Sequence, residues 1–256
     1  MKIYEDIHSA YLGSLADVLD NPDYRCAPRG QPIREKLDYQ FRILRPTVEA
    51  VVTADAERNK VIERYTVQET ELYNSCSNKV EDFAKASKFW NHIANPDRTI
   101  NSAYGYLIWK NKSLGNNRYE LWNTENRYTT GDEAIRTPWE WCRESLEADK
   151  DTRQALLRFS LPEHHWKGNK DFVCTISGNF LIRDDRLNLA VVMRSNDLVK
   201  GLAYDMPWFI SLIHRMTEEL KTTYPNLQPG TYTHLAHSMH LYEKDIEVIN
   251  AMLGRK

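Results

Sequence analysis

The sequence predicts an α+β protein in which a sheet packs with helices. Stretches of alternating apolar and polar residues stand between stretches with the three- and four-residue apolar spacing of amphipathic helices. The sequence has neither a GxGxxG nor a GxxxxGK(S/T) loop, which argues against the common dinucleotide and nucleoside-triphosphate folds. Because no Pro-, Gly- or Ser-rich linker divides the 256 residues, we expect a single domain, 1–256.

The first predicted elements are a helix and a strand. Apolar residues in 6–19 fall on one helical face, and Asn21 with Pro22 ends that helix. Residues 36–53 open with the apolar and polar alternation typical of a strand, which Pro46 ends. Between 54 and 94 the apolar residues return to helical spacing, so we expect several helices there.

The second half of the chain predicts a hairpin followed by a long helix. Residues 180–183 and 187–193 alternate on either side of an Asp-Asp pair, a composition typical of a tight turn. A strongly apolar helix then starts near Asp205 and Pro207, because Asp suits an N-cap and Pro suits the first helical turn.

Composition and charge argue against several kinds of partner. The chain carries 34 basic and 36 acidic residues, a net charge of -2, which gives no electrostatic reason to expect nucleic acid or a membrane. The N-terminus lacks an apolar signal core, and no apolar run reaches about 18 residues. Four widely spaced cysteines predict reduced thiols. We therefore expect a cytoplasmic protein.

A thiol and several charged residues stand at an informative spacing in the last third. Cys174 lies in the run DFVCT (171–175), and the run RSND (194–197) begins twenty residues later, followed by Gly201 and Asp205. Taken singly, these would be a buried apolar cysteine, a solvated arginine and a helix cap. Together they supply a nucleophile, a guanidinium for an anion and carboxylates for a base, which indicates covalent chemistry on a nucleotide.

These motifs resemble the thymidylate synthase family, most closely its bacteriophage-type deoxycytidylate hydroxymethylases. FVCT (172–175), the block 193–205 and HLY (240–242) carry the resemblance, which extends back to about residue 68. NSAYG (101–105) resembles the family's Tyr-Gly segment beside the active site. The resemblance implies a thymidylate synthase-like fold, with a large mixed β-sheet flanked by helices and a sheet face that forms a homodimer interface.

The resemblance implies one-carbon transfer to C5 of a pyrimidine, with 5,10-methylenetetrahydrofolate as co-substrate. Cys174 would add to C6 as a thiolate, after which C5 would attack the methylene group. Tyr104 would lie beside the reacting ring, and Glu69 would organise protons and water. Glu71 is an alternative acid, but Tyr73 aligns with the family pattern when Glu69 is chosen.

The resemblance also implies a phosphate site that two subunits share. Arg194 and Ser195 would bind the 5′-phosphate, and Arg153 would cross the dimer interface to the partner's phosphate. The family usually has two adjacent arginines at this second position, whereas Gln154 follows Arg153 here. This departure removes one positive charge from the expected anion site.

The remaining nucleotide contacts come from both ends of the chain. Arg29 would add a phosphate contact from an N-terminal loop, with Arg34 as the alternative. His240 and Tyr242 alternate on a predicted strand, so both would face the sugar 3′-hydroxyl. Asp205 stands where thymidylate synthases carry an Asn, and a carboxyl group suits the amine and N3 of cytosine.

The folate would lie against a second group of residues. Asp197 would accept hydrogen bonds from the pterin, Gly201 would allow close backbone approach, and Trp90 and Tyr204 would offer flat surfaces. The histidines at 164–165, 234 and 237 resemble no metal site of the family, so we expect no metal and place them in loops or on the surface.

The sequence leaves the last chemical step open. The favoured reaction converts dCMP to 5-hydroxymethyl-dCMP, when water captures an exocyclic methylene on C5. Hydride from the folate would instead give a dCMP C5-methyltransferase, although the basic tail ending at Lys256 favours water entry. A CMP hydroxymethylase of nucleoside antibiotic biosynthesis is a further alternative, against which Ser195 favours the deoxynucleotide. The non-enzyme alternative is a catalytically dead nucleotide-binding or RNA-binding protein.

Overall fold

A single sheet organises the fold. The computed structural model describes residues 1–111 and 136–255, and within these ranges an 8-stranded sheet has the order β1-β3-β8-β6-β5-β4, with β2 beside β3 and β7 beside β8. The strands are β1 (Lys2–Tyr4), β2 (Tyr24–Cys26), β3 (Ile33–Ile43), β4 (Leu156–Arg158), β5 (Thr175–Arg183), β6 (Arg186–Met193), β7 (Asn196–Asp197) and β8 (Gln228–Tyr242).

Helices precede, connect and follow these strands. They are α1 (Ile7–Asp20), α2 (Ala56–Asn74), α3 (Val80–Ala86), α4 (Trp90–Ile93), α5 (Tyr104–Trp109), α6 (Pro138–Ala148), α7 (Ala203–Leu220) and α8 (Ile246–Met252). Asp6 caps α1 by accepting a hydrogen bond from Ser9 N at 2.8 Å, as the predicted helix start requires. Within the described ranges, no helix is long and apolar enough to span a membrane.

The sheet is mixed, which confirms the predicted α+β architecture. β8 pairs antiparallel with β3 and parallel with β6, while β5 and β6 pair antiparallel. β1 runs parallel to β3 at the edge. The longest described strands, β8 with 15 residues and β3 with 11, pair with each other in the middle of this sheet.

The hairpin of β5 and β6 forms as predicted. Arg183 pairs with Arg186 across a two-residue turn, in which Asp184 and Asp185 have φ of 50° and 55°. Positive φ at both central positions matches the right-handed twist of the strands, and Asp tolerates this conformation. The turn sets the register from Arg183 to Ser177, and a bulge between Ser177 and Thr175 shifts it so that Thr175 pairs with Met193 at the open end.

The two faces of the sheet differ in burial. Phe41, Tyr232 and His234 are fully buried on the inner face, where Phe209 of α7 stacks on Tyr232 with ring centroids 6.5 Å apart. On the opposite face, alternate residues of β5, β6 and β8 are only half-buried. We call the apolar members of this face the outer patch: Leu181, Ala190, Val192 and Leu235.

Two expectations from the sequence are wrong. Helix α7 begins at Ala203, so Asp205 lies inside its first turn and is not the N-cap. His234 is fully buried inside a strand, whereas we expected a loop or surface position; His164 lies in a loop as expected, although its side chain is buried. His234 belongs to β8, where its partners on the inner face are Phe41, at 5.2 Å between ring centroids, and the Tyr232 hydroxyl, at 2.8 Å from Nδ1.

Candidate active site

Cys174 and Arg194 meet at the open end of the hairpin. Arg194 N donates to Cys174 O at 2.8 Å, and Nη2 lies 3.5 Å from the Cys174 sulfur. The guanidinium also donates from Nε to Val173 O at 3.0 Å and lies over the Phe172 ring, 5.0 Å from its centroid. The strand pairing therefore places a positive charge beside the thiol, as the spacing of the two residues predicts.

The thiol is nevertheless not ionised by this neighbour alone. Burial raises the pKa of Cys174, and the negative charges of Asp205 and Asp171 raise it further, whereas Arg194 and Arg29 lower it. Burial outweighs the two arginines. Without ligand, the nucleophile is therefore held mainly as a neutral thiol.

Tyr104 reaches the same corner from helix α5. Thr175 Oγ1 donates to the Tyr104 hydroxyl at 2.9 Å, and both side chains are buried. Gly105 allows α5 to approach α2, because a Cβ at this position would lie 1.7 Å from Tyr73 O. Tyr104 therefore stacks on Tyr73 with ring centroids 5.3 Å apart, next to the residue that follows Cys174.

Glu69 faces the core from helix α2. Burial raises the pKa of its carboxyl group to about 8, with a further increase from Asp205, while the hydroxyls of Tyr73 and Tyr65 act in the opposite direction. Glu69 is only 8% exposed, whereas Glu71 is exposed to solvent. The geometry thus favours Glu69 over Glu71 as an acid that keeps its proton at neutral pH.

Asp205 is joined to a residue that sequence reasoning did not select. Asn196 Nδ2 donates to Asp205 Oδ2 at 2.7 Å, and Asn196 Oδ1 is buried without a hydrogen-bond partner among the described residues. Burial raises the pKa of Asp205 to about 6, and the bond from Asn196 opposes this rise. The position of Asn196 inside the 194–197 motif was the signal that could have found it.

Gly201 makes room for this pair. A Cβ at residue 201 would lie 2.9 Å from Asn196 Nδ2 and 3.2 Å from Asp205 Oδ2. Its φ is not in the left-handed region, so the requirement is space and not backbone conformation. Gly201 therefore supports the carboxyl and amide pair directly, in addition to the folate approach that we expected.

Strands β7 and β8 bring the predicted sugar and folate residues together. Asp197 pairs with His240, and His240 and Tyr242 share one face of β8 with ring centroids 5.5 Å apart. His240 is 8% exposed, and its Nδ1 has no hydrogen-bond partner in the described part of the chain. An unpaired imidazole nitrogen at this depth is available to a ligand hydroxyl.

Arg29, and not Arg34, belongs to this side of the molecule. The Arg29 charge lowers the pKa of both Cys174 and Tyr242, which places it on the site side of the N-terminal loop. Arg34 instead donates to Leu19 O at 2.5 Å. Arg29 is exposed, so its guanidinium is free to follow an anion.

The predicted folate residues have mixed environments. Asp197 Oδ1 accepts from Val199 N at 2.8 Å and Lys200 N at 3.2 Å, so one carboxylate oxygen caps the following turn. The Tyr204 hydroxyl accepts from Arg58 Nη2 at 3.1 Å. Trp90 is mostly buried and packs edge-on against Phe83 at 4.9 Å, as a core residue does.

Two predicted phosphate residues differ in position. Ser195 is half-buried and follows Arg194 directly. Arg153 lies on the exposed turn before β4, and no described contact joins it to Cys174, Arg194 or Asp205. Within one chain, Arg153 therefore stays outside the cluster. Among the residues described, no group of His, Cys, Asp and Glu could hold a metal ion.

Comparison with known proteins explains why these residues converge. The family model for thymidylate synthase matches residues 9–256. The chain belongs to the thymidylate synthase family. It is therefore an enzyme of one-carbon transfer, in a family that acts on nucleotide and folate substrates and uses methylenetetrahydrofolate as co-substrate.

Individual relatives agree with this membership. The deoxycytidylate 5-hydroxymethyltransferase of Enterobacteria phage T6 is 27% identical over 195 residues, which covers 73% of this chain and 70% of the relative. The thymidylate synthase of Clostridium beijerinckii is 21% identical over 265 residues, covering 100% of this chain and 84% of the relative. The structure of thermostable thymidylate synthase A from Bacillus subtilis superposes with a TM-score of 0.70 at 17% identity, over 97% of this chain and 84% of that one. The predicted family and fold are confirmed.

Proposed function

We propose that this thymidylate synthase-family enzyme converts dCMP to 5-hydroxymethyl-dCMP with methylenetetrahydrofolate as one-carbon donor. The observation that carries the proposal is Asp205, a buried carboxyl group at the base position, held by Asn196 at 2.7 Å. The similarity to the phage T6 deoxycytidylate 5-hydroxymethyltransferase supports it.

Hydrogen bonding explains why a carboxyl group favours cytosine. Cytosine offers an amine donor and the N3 acceptor, which a carboxyl group complements when the pair shares one proton. Uracil offers an N3-H donor and an O4 acceptor, which an amide complements better. Because the pKa of Asp205 is raised to about 6, its proton is available for N3 close to neutral pH. A proton on N3 also makes C6 more electrophilic.

Cys174 would start the reaction. It would lose its proton to solvent and add to C6 as a thiolate, the C5–C6 π electrons would move to C5, and C5 would bond to the folate methylene carbon as one of the two C–N bonds of that carbon breaks. Loss of the C5 proton and of tetrahydrofolate leaves an exocyclic methylene. Water adds to that methylene, and the electrons return to expel Cys174 from C6. The pKa of Glu69 is raised to about 8, so its carboxyl group keeps its proton at neutral pH. It would supply and recover protons near the ring.

The folate would occupy the side of the site that contains Asp197. This residue uses Oδ1 for the backbone of the next turn, so Oδ2 can accept from a pterin N-H. The Tyr204 ring, 4.6 Å from the Tyr65 ring, offers an aromatic wall. Gly201 keeps the space beside Asp205 open. These residues fit a flat, hydrogen-bonding co-substrate.

A homodimer would complete the phosphate site. Arg194, Ser195 and Arg29 contribute from one chain, and Arg153 would reach the phosphate of the partner. The outer patch supports this assembly, because half-buried apolar residues on a sheet face favour burial against another surface. Sedimentation should give a dimer, and Val192→Asp should give monomers with weakened nucleotide binding.

Water capture is favoured over hydride transfer by the similarity to the phage T6 deoxycytidylate 5-hydroxymethyltransferase. Hydride transfer benefits from a site closed to water, and it would give a methylated product instead.

One assay tests the proposal against its alternatives. The protein is incubated with methylenetetrahydrofolate and each of dCMP, CMP and dUMP, and the products are resolved by mass. We expect a hydroxymethyl product from dCMP. A methylated product would identify a methyltransferase, preference for CMP would favour the antibiotic-pathway alternative, and no turnover with tight RNA binding would favour a non-enzyme.

A further inference from the structure

A buried side-chain bridge joins the Cys174 segment to the Tyr104 segment. Asp171 is 5% exposed, and its Oδ2 accepts from Ser102 N at 2.8 Å while its Oδ1 accepts from Ser102 Oγ at 2.5 Å. Asn101 Nδ2 adds a bond of 3.0 Å to Asp171 O. Both carboxylate oxygens are thus used to connect two segments that are 69 residues apart in sequence.

The bridge lies close to the reacting groups on both of its sides. Asp171 precedes Cys174 by three residues, and Ser102 precedes Tyr104 by two. Beyond the bridge, the same two segments meet again where Thr175 donates to the Tyr104 hydroxyl at 2.9 Å. Cys174 therefore sits on a stretch of chain that is attached to the Tyr104 segment before and after the sulfur.

A carboxylate is an expensive choice for a purely structural link. Burial raises the pKa of Asp171, which the Ser102 donors and the charge of Arg194 oppose, and the Asp171 charge in turn disfavours the thiolate of Cys174. An amide could span the same distance without this charge. The carboxylate matters because it accepts two bonds from one residue, which fixes orientation as well as distance.

We propose that Asp171 and Ser102 are positioning residues that hold the Cys174 sulfur at a fixed place relative to the Tyr104 hydroxyl and the pyrimidine. The bridge orients the nucleophile without touching substrate. The proposal rests on the proposed function in so far as Cys174 is the nucleophile and Tyr104 lies beside the ring. It goes beyond that function because it assigns a role to two residues outside the motif of Arg194 and Asp205.

The test compares Ser102→Ala with Ser102→Thr. The alanine variant removes the Ser102 hydroxyl bond but keeps the Asp171 charge, so misplacement of the sulfur should lower kcat about tenfold with little change in KM. Threonine restores a hydroxyl group and should recover most of the activity. Ser77→Ala is the matched control, because Ser77 Oγ donates to Asp82 Oδ2 at 2.6 Å, an equivalent bond that involves neither Asp171 nor Ser102. It should leave kcat unchanged.

A second measurement does not depend on turnover. The rate of Cys174 alkylation by iodoacetamide is followed across pH by mass spectrometry of the Cys174 peptide. In Asp171→Asn the lost negative charge should speed alkylation at neutral pH while kcat falls, so a more reactive thiol would be a poorer catalyst. A merely structural change would speed alkylation by a similar factor at every pH, whereas loss of the Asp171 charge should lower the pH at which the alkylation rate rises.

The outcomes distinguish this proposal from the proposed function. If Ser102→Ala and Asp171→Asn both keep kcat within about twofold of the wild type, or if threonine fails to recover activity, the positioning role is overturned. If the wild type turns over no pyrimidine nucleotide, the proposed function fails. The bridge would still control the reactivity of the Cys174 thiol if Asp171→Asn alters Cys174 alkylation and Ser77→Ala does not. Thermal unfolding of each variant identifies any loss of activity that comes from unfolding.

Discussion

The nucleophile side and the carboxyl side of the site are built from different kinds of contact. Cys174 and Arg194 are neighbours across one hairpin, joined by strand pairing and a backbone hydrogen bond of 2.8 Å. Glu69 and Asp205 come from helices α2 and α7, which lie far apart in sequence and meet by packing. Strand pairing within one hairpin therefore positions Cys174 and Arg194, whereas helix packing in the core positions Glu69 and Asp205.

The two sides also differ in how they control charge. Arg194 keeps its positive charge beside the sulfur, so the nucleophile side favours anions. On the carboxyl side burial is the largest influence, and it raises the pKa of Glu69 to about 8 and of Asp205 to about 6. Under the proposed function, the site would bind an anionic nucleotide at one side and hold protons at the other, as addition to a pyrimidine ring requires.

The largest expected effect comes from removing the nucleophile. Cys174→Ser should lower kcat by about 10⁴-fold or more, because a serine hydroxyl is far less nucleophilic than a thiolate and loses its proton far less readily. Nucleotide binding, measured by calorimetry, should persist through Arg194. Cys26→Ser changes an exposed thiol and should behave as wild type. Full activity in Cys174→Ser would contradict covalent catalysis.

The next effect should be a change of base preference. Asp205→Asn replaces the carboxyl group by an amide that matches uracil, so the ratio of kcat/KM for dCMP over dUMP should fall by about 10³-fold. Asn196 should still donate to the new side-chain oxygen, which limits structural damage. The measurement is competition between the two nucleotides in one reaction. An unchanged ratio would show that Asp205 does not select the base.

Sequence reasoning succeeded where contacts are local and failed where they are not. The Asp-Asp turn and alternating strands were enough to predict the hairpin, and hence the meeting of Cys174 and Arg194. The start of α7 was predicted too late in the chain. Asp197 caps the preceding turn, where it accepts from Val199 N and Lys200 N, and Asp205 instead accepts a hydrogen bond from Asn196. No pattern along the chain signals that a residue will be buried beside a distant carboxyl group.

The same distinction explains one contact that was not predicted and one further error in placement. The link between Asp171 and Ser102 spans 69 residues, and although both residues stand in recognised motifs, no spacing along the chain signals that they meet. His234 was assigned to a loop or the surface because it resembles no metal site of the family. The structure instead places it on the inner face of β8, one of the long strands at the middle of the sheet, where the core packs against it. Burial by tertiary contacts decided both cases.

The pH profile of Glu69 tests the carboxyl side directly. Activity should decline as pH rises through about 8, because Glu69 then loses the proton that it holds at lower pH. Glu69→Gln should lower kcat about 100-fold and remove this alkaline decline, since an amide does not titrate. Glu71→Gln changes an exposed neighbour and is the matched control. Retention of the decline in Glu69→Gln would assign it to another group.

The smallest expected effect is that of His234 on the pH dependence of folding stability, which must be separated from the pH dependence of catalysis. Burial lowers the pKa of His234 from 6.5 to about 3. Between these pH values His234 is protonated in the unfolded chain and neutral in the folded chain. The stability that neutral His234 permits is complete above pH 6.5 and is lost as pH falls toward 3, by about 1.4 kcal/mol per pH unit. Glu69 and Asp205 act in the opposite direction, because their raised pKa values favour folding at low pH.

His234→Phe should therefore change sign with pH. Near neutral pH the variant should be less stable by about 1 kcal/mol, because the Tyr232 hydroxyl loses its partner at 2.8 Å. Below pH 6.5 it should gain relative to wild type, and denaturant unfolding at several pH values measures the crossing. His237→Phe, at an exposed position, should show no such gain. A constant difference between His234→Phe and wild type would mean that the pKa of His234 is the same in the folded and unfolded chains, and acid losses of activity would then not come from this histidine.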